Sequence, residues 1–273
     1  MTITNESGLK PHPLNRAFKW HDVPPSRQLR RLTRAEAAAF DRDGFIRVEG
    51  AFDADELAAV EAAIDPIERA HERYVTEEQG GKFRLTSTGA ITFTAHIVTQ
   101  SPVLRAFAEH PVIADICHDL IGGTVRLYWD QSVYKKTQTK QEFPWHQDNG
   151  YAFIEPQQYL TFWVPLVDVT VENGCPWIVP GLHRGGTLEH WDTPIGRKCI
   201  EETEEAVPVE ANVGDIILFS SLAPHRTGPN LCDGTVRKAY ILQYAPDGAH
   251  TIVDGQVIPQ SDPDRQFIVS RAA

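Results

Sequence analysis

Val125-Arg126-Leu127-Tyr128-Trp129-Asp130-Gln131-Ser132-Val133-Tyr134 divides this chain into two textures. Val125, Leu127, Trp129, Gln131 and Val133 alternate with the other five, which is the period of a strand with one face buried. Comparable runs follow at 159–166, 175–179, 207–210, 216–220 and 237–244, separated by Gly, Pro, Asn and Asp. Upstream the pattern is helical. Thr33 and Glu36 have capping-box spacing before helix formers at 35–41, which Gly44 stops, and 45–48 reads as a short strand. Asp53 with Glu56 repeats the cap ahead of Leu57, Val60, Ile64 and Ile67, with a kink expected at Pro66, and 103–120 reads as one further helical stretch. In that stretch His110 and His118 are read as surface or packing residues. Helices first and many short strands after predict a mainly β protein, a sandwich or jelly roll on an N-terminal helical support.

Residues 1–32 are rich in Pro, Arg and polar side chains and lack a period. They are expected to wrap the surface or stay mobile, with residues 33–273 forming one domain. The formal net charge of -11 opposes tight binding to nucleic acid or anionic membranes and favours a small-molecule partner. The basic cluster Arg27, Arg30, Arg31 and Arg34 reads as a solvated face. Cys117, Cys175, Cys199 and Cys232 lack zinc-site spacing and are too few to staple a domain of this size, so they read as reduced thiols. The N-terminus has no apolar signal-peptide core, and no run of about 18 apolar residues occurs. A cytoplasmic protein is expected, of undetermined oligomeric state.

The chemistry centres on His146-Gln147-Asp148. Alternate side chains of a strand share a face, so two ligands spaced by one residue can grip one metal ion. With 11 histidines, about one His-x-Asp is expected by chance, and a second occurs at His190-Trp191-Asp192. The first lies between two strand-like runs, whereas the second sits among Pro and Gly and reads as surface polar residues. His225 follows the strand ending near Ser220, a position at a barrel mouth; taken alone it would be a loop histidine capping local backbone. Two imidazoles and a carboxylate on one side of a metal make the facial triad of non-haem iron oxygenases. Arg237 opens an otherwise apolar strand. Pointing inward, it would be costly without a carboxylate, which a dicarboxylic co-substrate would supply.

Together these motifs give a resemblance to the phytanoyl-CoA dioxygenase family of Fe(II)/2-oxoglutarate oxygenases, which includes the ectoine hydroxylases. The likeness runs from about Thr33 to Ala245. It is carried by Phe143-Pro144-Trp145-His146-Gln147-Asp148, Phe162-Trp163-Val164-Pro165-Leu166, Glu172-Asn173-Gly174-Cys175, Pro180-Gly181-Leu182-His183 and Gly214-Asp215 with His225. It implies a double-stranded β-helix (jelly roll, cupin-like) core, iron held by His146, Asp148 and His225, and 2-oxoglutarate anchored by Arg237 and Thr227. Gln131 and Trp163 resemble residues that line the co-substrate pocket, and His183 a residue behind the ligands or in a turn. The implied reaction consumes molecular oxygen and 2-oxoglutarate, releases succinate and carbon dioxide, and hydroxylates an unactivated carbon. Desaturation or ring closure could follow from the same hydrogen abstraction. Relatives that halogenate carry a small residue where Asp148 stands, so hydroxylation is implied.

The stretch after Asp148 lacks the longer sequence of ectoine hydroxylases, which points away from ectoine. Phe83, Phe93, His96, Phe143, Tyr151 and Phe153 are candidates for an aromatic pocket mouth suited to a mid-sized organic molecule, and natural-product tailoring fits that surface. Two rivals remain: a cupin-type metal dioxygenase that does not use 2-oxoglutarate, and a non-catalytic small-molecule binding protein.

Overall fold

The computed structural model describes residues 9–272. The capping box at Thr33 closes in both directions and starts α1 (Arg34–Asp43), which Gly44 ends in the left-handed region at φ 83°. The chain continues through β1 (Phe45–Val48) into α2 (Ala54–Glu78), which runs on through Pro66. The helix expected over 103–120 is instead two, α3 (Pro102–Ala108) and α4 (Pro111–Leu120). Pro111 is the physical reason. It disfavours helical backbone at His110 yet suits the first position of a new helix, and the His110 ring accepts from the Val112 N–H to cap it.

Beyond residue 124 the alternating runs become strands. β5 (Val125–Lys135), β8 (Leu160–Pro165), β13 (Ile216–Ser220) and β15 (Arg237–Pro246) lie side by side in the order β13-β8-β15-β5. β1 extends this sheet at one edge, and β4 (Ile91–Ala95), β3 (Thr86–Ser87) and β2 (Lys82–Phe83) at the other, with β18 (Ile268–Ser270) also pairing β5. Facing it is a sheet of β6 (Phe143–His146), β9 (Pro176–Ile178), β12 (Val207–Pro208) and β14 (His225–Thr227) in the order β12-β9-β14-β6. From β5 to β6, β8 to β9, and β13 through β14 to β15 the chain passes back and forth between the sheets, and the pairings are antiparallel. This is the expected jelly roll. A three-stranded piece, β7 (Ile154–Glu155), β16 (His250–Val253) and β17 (Gln256–Pro259), and a hairpin of β10 (Trp191–Thr193) and β11 (Gly196–Lys198) flank the core.

The large sheet is buried on both faces, not on one. Its outer face presents Phe162, Val164, Leu218, Tyr240 and Leu242 to Leu57, Val60 and Ile64 of α2 and to Phe107, Ile113 and Ile116 of α3 and α4. Burying each such side chain contributes about 1.5–3 kcal/mol. Its inner face looks into the space between the sheets. The alternation read from residues 125–133 breaks once: Gln243 pairs with Trp129 but Tyr244 pairs with Leu127, leaving Tyr128 as an extra residue. This bulge turns Leu127 towards the helices, while Tyr128, Trp129, Gln131 and Val133 line the interior cavity.

The N-terminal arm wraps the surface over its described part, residues 9–32. Pro11 bridges Leu188, Asn15 donates to the carbonyls of Gly185 and Thr187, and the buried Asp119 carboxylate accepts from the N–H groups of Arg30, Arg31 and Leu32. The arginine cluster makes local contacts, Arg27 to the Asp119 carbonyl and Arg30 to Asp115. Residues 1–8 of the arm lie outside the described residues.

Candidate active site

His146 is the last residue of β6 and His225 the first of β14, and the two are direct cross-strand partners with ring centroids 4.1 Å apart. His225 thus lies on a short strand, not on a loop past one. Asp148 is not on the strand of His146 either. It opens a 3-10 turn at Asp148–Gly150, which swings its carboxylate back over both rings. Its Oδ1 stands 3.8 Å from Nε2 of His146 and 3.8 Å from Nε2 of His225, and one ligand atom from each of the three residues lies within 4.8 Å of the others.

The protonation pattern suits a cation. Nδ1 of His146 faces the Pro144 carbonyl at 2.8 Å and Nδ1 of His225 the Ala223 carbonyl at 3.0 Å. A carbonyl only accepts, so each Nδ1 carries the hydrogen and each Nε2 turns a lone pair to the shared centre. Burial, reinforced by the neighbouring His225, holds the His146 imidazole well below its usual pKa and therefore neutral, the form that ligates metal. Thr161 donates to Oδ2 of Asp148 at 2.5 Å, fixing the carboxylate from behind.

Between the sheets this cluster opens into a cavity of about 780 Å³. Arg237 lines it, wholly buried, with its guanidinium carbon 5.3 Å from the Trp163 ring centroid. Its Nη1 donates to the Val133 carbonyl, while Nε and Nη2 are buried without a hydrogen-bond partner among the described residues, and burial lowers its pKa to about 10. Among the described residues no carboxylate pairs with it. A carboxylate group would fit these two nitrogens by charge and donor geometry. Thr227, Gln131 and Trp163 line the same cavity, as do Phe83, Phe93, His96, Phe143 and Tyr151. Phe153 does not: it is buried and stacks on His12 of the arm. His183 is a turn residue remote from the cluster, buried against Trp20 with Nε2 on the Asp41 carbonyl.

Several supporting residues escaped the sequence reading. Gln147, the middle of the triplet, is fully buried. Its amide donates to the carbonyls of Gly186 and Leu222 and accepts from the Leu188 N–H, tying two loops together behind the ligands. His190, expected at the surface, takes the Gln147 N–H on its Nε2 at 2.9 Å and buttresses the ligand turn, whereas Trp191 and Asp192 of that second triplet are exposed, as expected. Lys135 faces Arg237 directly across the strand pair, buried, with its ammonium on the Thr227 hydroxyl at 3.2 Å. Strand alternation alone could have put Lys135 on the face of Gln131 and Val133. Nothing local in the sequence marks Gln147 or His190, because their partners come from distant loops.

A family model described as phytanoyl-CoA dioxygenase (PhyH) matches residues 40–239, a stretch that contains the whole cluster and Arg237. A probable phytanoyl-CoA dioxygenase of Caenorhabditis elegans is 29% identical over 165 residues, 54% of this chain and 52% of that protein. The ectoine dioxygenase of Sphingopyxis alaskensis is 30% identical over 196 residues, 68% of this chain and 61% of that protein. The matches thus span about half to two thirds of these relatives' length. In fold, the chain is similar to the epimerase SnoN, solved in complex with Fe3+, alpha ketoglutarate and nogalamycin RO, with a TM-score of 0.68 at 24% identity, covering 86% of this chain and 97% of that one. With a family model that takes in most of the jelly roll and every residue of the candidate metal cluster, the chain belongs to the phytanoyl-CoA dioxygenase family.

Proposed function

We propose that this protein is an Fe(II)- and 2-oxoglutarate-dependent dioxygenase that hydroxylates an unactivated carbon of a small organic molecule in specialised metabolism. One observation carries the reading: a cavity that holds both a two-histidine, one-carboxylate cluster and a buried guanidinium with no carboxylate of its own. A metal dioxygenase that cleaves its own substrate has no use for Arg237. The similarity to ectoine dioxygenase supports a small-molecule substrate.

In this reading His146, Asp148 and His225 hold the iron, and the bound metal with its co-substrate supplies the oxidising chemistry. The protein's own work is positioning. The Pro144 and Ala223 carbonyls orient the two rings, and Thr161 orients the carboxylate. Arg237 pairs with the far carboxylate of 2-oxoglutarate. Thr227 assists it, since Lys135 donates to the Thr227 oxygen and leaves the hydroxyl proton free to point at that carboxylate. Phe143, Phe219 and Tyr151 surround the cluster and limit water. The four free cysteines agree with a reducing, cytoplasmic setting.

The test is succinate release from 2-oxoglutarate under air, with Fe(II), across a panel of small metabolites. Succinate should form with the wild type and fall by at least about 100-fold in Asp148→Ala, the scale on which even supporting groups of a metal site act. Undiminished release by Asp148→Ala, or none from the wild type across the panel, would remove the assignment.

A further inference from the structure

The cavity has two chemically different ends. Strand register sets out its inner floor in rows. Arg237 stands opposite Lys135; Ile241 lies between Gln131 and Trp163; Gln243 lies between Trp129 and Thr161. Arg237 and Gln243 are six residues apart on one strand, about 20 Å between their backbones. The metal cluster stands over the last row, because Thr161 there binds Asp148 and Phe219 beside it touches His225. A co-substrate stretched from Arg237 to the metal therefore leaves Gln243 free.

Gln243 is 7% exposed and lines the cavity, yet its side-chain amide makes no hydrogen bond among the described residues. The amide faces the cavity with its donor and its acceptor both unused by the protein, so a ligand group can exchange hydrogen bonds with it. The hydroxyls of Tyr128 and Tyr159, which also line this end, have no hydrogen-bond partner among the described residues either. Tyr128 is the extra residue of the β5 bulge, so an irregularity of the strand is what aims it here. Burial pushes the Tyr128 hydroxyl up to about 12, so it is protonated and able to donate. The other arm of the cavity is apolar, formed by Ile67 and Ala70 of α2, Phe83 and Leu85 of the β2–β3 hairpin, and Phe93 and Phe143. Apart from Asp148 and the histidines, the charged lining consists of Arg237 and the exposed Arg84.

We propose that Gln243, with Tyr128 and Tyr159, is the specificity-determining polar end of the substrate pocket, reading a neutral hydroxyl or carbonyl of a substrate whose apolar, ring-sized body fills the arm between α2 and the β2–β3 hairpin. The inference rests on the oxygenase reading for which end the co-substrate takes. A neutral amide beside two neutral hydroxyls exchanges hydrogen bonds with an uncharged oxygen group and offers no counter-ion to a charged one. It also puts that oxygen group near the carbon to be oxidised, since Gln243 shares a row with the residue that holds Asp148.

The experiment is equilibrium dialysis of 1-naphthol and naphthalene against the full chain loaded with Mn(II) and 2-oxoglutarate, so that binding is read without turnover. The wild type should bind 1-naphthol about tenfold more tightly than naphthalene, the worth of one recovered hydrogen bond. Gln243→Leu should erase the preference while leaving naphthalene binding unchanged, which also reports that the variant is folded; Gln243→Met serves if the leucine variant does not fold. Leu85→Trp, filling the apolar arm, should weaken both probes alike. A preference that survives loss of Gln243, or a wild type that takes up neither probe, overturns the proposal. Failure of the oxygenase reading is told apart by succinate release: an intact naphthol preference without succinate sinks that reading alone.

Discussion

Arg237 is the residue whose chemistry is least explicable without a ligand. Its guanidinium lies in the interior with Nε and Nη2 unsatisfied, and a second buried cation, Lys135, stands directly across the strand pair. Like charges facing each other in a sheet destabilise it, and a buried unpaired charge costs several kcal/mol. Burial and the neighbouring Arg237 push the Lys135 ammonium well below its usual pKa, which eases that repulsion. On the function proposed above, binding a dicarboxylate offsets this cost. Arg237→Met, close in volume and uncharged, should therefore melt no lower than the wild type when 2-oxoglutarate is absent. It should lose most of the thermal stabilisation that 2-oxoglutarate with Mn(II) gives the wild type, and need at least about tenfold more co-substrate for half-maximal succinate release. Differential scanning fluorimetry with and without 2-oxoglutarate reads the first two effects. A variant stabilised by the co-substrate as strongly as the wild type would mean that another residue is the anchor.

At the scale of elements, the joint between α1 and β1 decides how the helical support meets the barrel. Gly44 ends α1 at φ 83°, and a Cβ there would come within 2.4 Å of the His183 ring. His183 in turn donates from Nε2 to the Asp41 carbonyl near the end of the same helix and packs on Trp20, so helix end, turn and arm share one contact. Gly44→Ala imposes both a left-handed backbone on a residue that resists it and a collision with an immobile ring. It should cost about 2–4 kcal/mol in urea unfolding. A loss below about 0.5 kcal/mol would show that the ring can move aside. The bulge at Tyr128 and the break at Pro111 are of the same kind: local departures from a regular period that place side chains. Pro111 could have been read as a helix start, since proline favours that position. The bulge could not, because an inserted residue in β5 is defined only by its register against β15.

For the molecule as a whole, acid sensitivity follows from its buried histidines. His183 falls from the ordinary 6.5 to about 4 because of burial, and a proton added at Nδ1, which has no partner among the described residues, would be stranded. The unfolded chain then binds this proton more readily than the folded one. The group's contribution is complete above pH 6.5 and is lost as pH falls towards 4, about 3 kcal/mol in all. Asp130 works in the opposite sense. Burial raises its carboxyl to about 6, so its cost to stability grows as pH rises from 3.8 to that value. His183→Gln keeps a donor for the Asp41 carbonyl and cannot charge, so its urea midpoint should fall less between pH 7.5 and 5 than that of the wild type. Parallel curves would assign the acid loss to other groups. The strand and helix textures, the capping box at Thr33, the two ligands of the His146-Gln147-Asp148 triplet and the isolated Arg237 were all legible in the chain itself, because each depends on a local period, a short spacing or the cost of one buried charge. Tertiary structure alone decided that His225 faces His146, that Thr161 and Gln147 brace the cluster, that His190 is an interior support, and that Gln243 is left without a partner. These are pairings between strands and loops far apart in sequence, and which distant groups meet is set by sheet register and by the crossing of the chain between two sheets, not by any residue's neighbours along the chain.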